Sequence, residues 1–104
     1  MTLQDFEAAL KGACEETYEL AAPQKAQRCV VWHRYGAQSS CGDDHNVLDL
    51  PKVQIDIFTT TNHDSLVDDV FAALWMADIP YSVQSEGYDP DYNAYRTILQ
   101  AVVV

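Results

Sequence analysis

Basic residues are scarce in this chain: six Lys and Arg stand against sixteen Asp and Glu, a formal net charge of -10 over 104 residues. A surface this acidic repels phosphate backbones and anionic lipid, so direct DNA binding and attachment to acidic membranes are disfavoured. Glycine is also sparse, dispersed at Gly12, Gly36, Gly42 and Gly87, which leaves no Gly-rich loop to cradle a nucleotide phosphate. The three cysteines, Cys14, Cys29 and Cys41, are odd in number and lack CxxC spacing. That pattern supports neither a disulfide framework nor a zinc knuckle and reads as reduced thiols. No apolar run approaches the roughly 18 residues of a membrane span. Asp5 and Glu7 follow Met1 where a signal peptide would be basic and then apolar. The expectation is a soluble protein made in the cytoplasm.

What is present is ordinary globular chemistry. Apolar residues make up 48% of the chain, and no Pro/Gly/Ser-rich run or internal repeat divides it, so residues 1–104 read as one domain. Thr2 can cap a helix whose apolar stripe is Leu3, Phe6, Leu10, Ala13 and Cys14. This helix is expected to run to about Leu20, before Pro23. Arg28 to Tyr35, rich in β-branched and aromatic residues, predicts a strand. The polar stretch Gly36 to Asn46 predicts a long exposed loop. Val47 to Thr60 returns to strand chemistry, interrupted at Pro51, with Val53, Ile55 and Ile57 on one side. Asn62 to Ser65 offers N-cap oxygens for a second helix starting near Ser65. Its expected core stripe is Leu66, Val67, Val70, Phe71, Leu74 and Trp75, and Pro80 stops it. Strand from Tyr81 to Glu86, loop from Gly87 to Asn93 and strand from Ala94 to Val104 complete the chain.

The order α-β-β-α-β-β predicts an α+β fold, a mainly antiparallel four- to five-stranded sheet carrying two helices. Neither side of the last strand is cleanly polar, which implies a second packing partner for the sheet. Either the two helices cover both faces or a neighbouring subunit takes the second.

Few residues suggest reaction chemistry. Cys41 and His45 lie four apart beside Asp43 and Asp44, but two ligands in a loop do not complete a tetrahedral metal site. Asp89-Pro90-Asp91 has two carboxylates without the remainder of a calcium loop, and reads as a turn. Asp56 alternates against the isoleucines and is expected to face solvent. Cys29 and His33 share a strand side but would sit about 13 Å apart, too far for proton transfer. No catalytic residue, cofactor or metal is therefore expected. Phe71 and Trp75 are assigned to the core, leaving Met76 as the apolar interface candidate on the second helix.

Val53-Gln54-Ile55-Asp56-Ile57-Phe58, followed by Thr61-Asn62-His63-Asp64-Ser65-Leu66 and Val70, resembles the small tail-completion and tail-terminator (head-tail joining) proteins of long-tailed phages. Val30-Val31-Trp32-His33-Arg34-Tyr35-Gly36 and the late Tyr95-Arg96 to Val103 segment are similar to that family's other strands. The resemblance implies a non-enzymatic virion or prophage subunit in the tail or neck, synthesised in the bacterial host cytoplasm. It also implies a ring, commonly a hexamer, which closes the head-proximal end of the tail tube. The implied partners are further copies of the chain, the tail tube protein and the head-completion or connector protein, with DNA passing through the lumen unbound and no membrane involved. Asp43, Asp44, Asp89 and Asp91 are candidates for a pore or its rim, and the two polar loops, with His45 and Tyr92, for partner contact. Other neck or minor capsid subunits are close alternatives, and an acidic mimic of DNA that inhibits a host DNA-binding protein is a more distant one.

Overall fold

The computed structural model describes residues 1–23, 27–41 and 47–104, apart from the side chains of 38–41 and 47–49. The fold is α+β: two helices and a five-stranded mixed sheet.

Helix α1, Leu3–Ala13, begins where the sequence places it. The Asp5 N–H donates to Thr2 Oγ1 and the Thr2 N–H donates to Asp5 Oδ2, both at 3.1 Å, so two otherwise orphan donors are satisfied reciprocally. The helix ends well short of Leu20. Glu15 and Glu16 would place negative charge against the negative end of the helix dipole. Thr17 is β-branched, and the edge of the next strand offers it hydrogen bonds. Thr17–Glu19 therefore forms a short strand, β1, parallel to the following strand and in register with Val30 to Trp32. This makes the sheet mixed, not purely antiparallel.

Strands β2, Cys29–Cys41, and β3, Val47–Thr59, form one long antiparallel hairpin. The stretch from Gly36 to Cys41, expected to be loop, continues the strand past a register shift between Arg34 and Gly36. Polar composition alone does not exclude a strand when a partner satisfies its backbone. Pro51 does not interrupt β3. Its carbonyl accepts from the Val103 N–H at 2.9 Å, so its missing N–H falls on the side where β5 is ending, and the pairing of Pro51 with Ala37 of β2 is kept.

Helix α2, Ser65–Met76, is capped by Asp64, whose carboxylate accepts from the Leu66 N–H at 2.9 Å. Strands β4, Tyr81–Asp89, and β5, Ala94–Val102, follow. Strand β4 takes in Gly87 to Asp89, which the sequence reading assigns to a loop, and a tight turn from Pro90 to Asn93 joins it to β5. There the Asp91 N–H donates to Asp89 Oδ1 at 3.0 Å and Asn93 takes a φ of 51°, the left-handed conformation Asn tolerates.

The strand order is β1-β2-β3-β5-β4. Val30 and Trp32 of β2, Val53, Ile55 and Ile57 of β3, and Leu99 and Ala101 of β5 face one way. They pack with Phe6 and Leu10 of α1 and Leu66, Val70 and Leu74 of α2 in a single core. Phe6 meets Trp32 edge-on at 5.3 Å between ring centres. Both helices thus lie on one side, and among the described residues no helix covers the other side. Trp75, expected in the core, is 80% exposed. At about 100° per residue it stands about half a turn from Leu66, while Leu74 still faces inward.

Candidate functional site

Three surfaces are left without a partner among the described residues. The first is the second face of the sheet. Strand register sets its rows: Cys29, Phe58, Arg96 and Gly87, then Val31, Asp56, Ile98 and Ser85, then His33, Gln54, Gln100 and Ser82. Asp56 lies at the centre of this face and is only 7% exposed, a correction to its expected solvent-facing position. Arg96 Nη2 donates to Asp56 Oδ2 at 3.1 Å and Gln54 Nε2 donates to Asp56 Oδ1 at 3.1 Å, so each carboxylate oxygen has a donor. Asp56 is thus held by Gln54 of its own strand and by Arg96 of β5, and it positions Arg96; it is not presented as a free base.

Arg96 also ties down the β4–β5 turn. Its Nη1 donates to Asp89 Oδ2 at 3.1 Å, and its guanidinium lies 5.4 Å from the Phe58 ring centre and 5.1 Å from that of Tyr92. Tyr92 remains 60% exposed while its ring approaches Phe58 to 5.1 Å. Asp89 is therefore engaged within its own chain, whereas Asp91 is exposed.

The second surface is the far part of the β2–β3 hairpin. Pairing with β1 stops at Trp32, and pairing of β3 with β5 stops at Lys52. Among the described residues Ala37–Cys41 and Val47–Leu50 thus have no strand beyond their own hairpin, a two-stranded arm on a molecule whose axes measure 48, 25 and 22 Å. Asp43, Asp44 and His45, which follow the arm's first strand, lie outside the described residues. The β4–β5 turn carrying Asp89, Asp91 and Tyr92 adjoins the opposite end of β3, where Thr59 pairs with Tyr95. The candidate contact residues are thus not gathered at one place by the described chain.

The third surface is the outer side of the helices. Trp75 and Met76 are 80% and 83% exposed, and Met76 lines a groove of about 510 Å³ between α1 and α2. Met76 lies where the sequence reading expects an interface residue. Trp75 was missed because a six-residue apolar stripe spans too wide an arc for one helix face to bury.

The two described thiols, Cys14 and Cys29, are poorly reactive by position. Burial pushes the Cys29 thiol up to about 11, and desolvation also raises that of half-buried Cys14. Among the described residues no three His, Cys, Asp or Glu side chains cluster so as to hold a metal ion, and no helix is long and apolar enough to cross a membrane. No protein-family model matches the chain, and no curated protein matches it.

Proposed function

We propose that this chain is a non-enzymatic structural subunit of a phage or prophage tail or head-tail neck, a tail-terminator or tail-completion protein acting as a ring at the head-proximal end of the tube. The observation that carries this reading is the two-stranded arm. A lone β-ribbon is marginal in water and gains stability when a further strand or surface covers it. Strand edges in soluble proteins are commonly guarded by charge or proline. The β3 side has both, in Asp49 and, at the arm's base, Pro51, but Ala37-Gln38-Ser39-Ser40-Cys41 has neither. At the other end of the sheet β4 offers a second open edge. Two different edges on opposite sides of one sheet suit heterologous contacts, in which each subunit meets the next in the same sense and a rotation closes the ring.

Under this reading the arm and the open sheet face meet neighbouring copies, and the tube and connector proteins meet what the ring leaves exposed. Asp89 and Asp91 beside the β4–β5 turn, together with Asp43 and Asp44, repel DNA passing through the lumen. The test is light scattering of the chain alone and with its tube protein, together with electron microscopy of tails grown with and without it. Overlong tubes in its absence identify a terminator, and tubes of normal length that fail to join heads identify a neck subunit. A chain that stays monomeric in every mixture, with tails unchanged by its loss, overturns the reading.

A further inference from the structure

The outer face of the helical layer combines two features that a lone soluble domain has no use for together. Trp75 and Met76 project from the end of α2 almost fully exposed. Met76 lines the groove with Ala9 and Gly12 of α1, Ala72 and Ala73 of α2, and Asp69, and Trp75 stands next to it in sequence outside that lining. Small residues on two adjacent helices allow a third helix to approach closely, and a Met in the groove with an exposed aromatic next to it in sequence supplies apolar area that can adapt to it. Spacing along α2 puts Asp68 in line with Ala72 and Trp75, and Asp69 in line with Ala72 and Met76.

Charge selects the occupant. The two helices expose Asp5, Asp68 and Asp69, with Asp78 following, against Lys11 alone. Arg28 already donates to the N-cap Asp64 of α2 through Nη2 at 2.8 Å and Nε at 3.0 Å. Two copies of this face would bring like charges together, which disfavours self-pairing through it.

We infer that the α1–α2 groove with Trp75 and Met76 is a docking site for a cationic amphipathic helix of a different protein. The apolar side of that helix covers Trp75 and lies in the Ala/Gly groove, while its Lys or Arg side chains meet Asp68, Asp69 and Asp78. This site is separate from the sheet edges assigned above to ring contacts and stands whether or not a ring forms.

The probe is a synthetic amphipathic helix of Leu and Lys, compared with one of the same pattern carrying Glu in place of Lys. Tryptophan fluorescence reports binding to the wild-type chain, because Trp75 is the exposed indole and Trp32 the buried one, and isothermal titration calorimetry reports it for every variant. The Lys peptide is expected to bind saturably with a blue shift, and the Glu peptide not to bind. Trp75→Ala and the pair Asp68→Lys, Asp69→Lys should each weaken the Lys peptide about tenfold, with unchanged circular dichroism. Equal binding of both peptides, absence of binding, or Lys-peptide binding indifferent to Trp75→Ala overturns the inference. So does a dimer in light scattering that Trp75→Ala dissolves, since the occupant is then a second copy.

Discussion

Arg96 and Asp56, forty residues apart in sequence, meet at 3.1 Å on the face of the sheet that no helix covers. The pair joins β5 to β3 and, through Asp89, holds the β4–β5 turn against the same face. Removing the cation leaves Asp56 buried without its charge partner. Arg96→Met should lower stability by about 2 kcal/mol, less than the figure for a fully buried pair because the guanidinium retains some exposure. Urea unfolding at neutral pH measures it. Loss of the same magnitude from Asp89→Asn would show that the turn, and not the Asp56 pair, is what Arg96 stabilises.

Asp64 both caps α2 and accepts from Arg28. The Arg28 hydrogen bond, then that of the Leu66 N–H, holds its carboxyl below the ordinary value of 3.8. A depressed folded pKa means that the stabilisation is present above the unfolded value and is lost as pH falls through the folded one. Asp64→Ala should cost about 1 kcal/mol at pH 7 through the lost cap. The stability gap between wild type and Asp64→Asn, which keeps a capping oxygen, should be constant above about pH 5 and close as pH drops below about 4. Denaturation at a series of pH values reads both.

Adjacent residues on α2 should behave oppositely. Leu74 is fully buried in the core and Trp75 stands in solvent. Leu74→Ala is expected to cost about 3 kcal/mol, and Trp75→Ala within about 0.5 kcal/mol of nothing. Thermal unfolding of the two variants distinguishes them; a large loss from Trp75→Ala would place its indole in the core.

Cys29, buried and with its thiol pushed up to about 11, stays protonated at neutral pH. Iodoacetamide at pH 7.5 should leave it unmodified in the native state and alkylate it in urea, with Cys14 reacting faster than Cys29 before unfolding. Peptide mapping by mass spectrometry resolves the two.

Several elements were legible because local chemistry specifies them. Thr2 and Asp64 carry the oxygens that start helices, and Val53, Ile55 and Ile57 alternate as a half-buried strand must. Other features depended on residues distant in sequence. Nothing near Thr17 announces that Val30 to Trp32 will offer it a parallel edge. Polar Gly36 to Cys41 reads as loop until Val47 to Lys52 satisfies its backbone. Asp56 has the pattern of a solvent-facing residue, and the donors that let it be buried come from Gln54, two residues along the same strand, and from Arg96 on another strand.

The sequence by itself determined the two helices, the four longer strands, their order and the single apolar core, because caps, period and proline act over a few residues. Only the tertiary structure decided that both helices share one face, that Trp75 is left outside and that the hairpin outruns its neighbours. Those outcomes follow from which surfaces meet once the strands are in register, a long-range packing choice that no local window of residues contains.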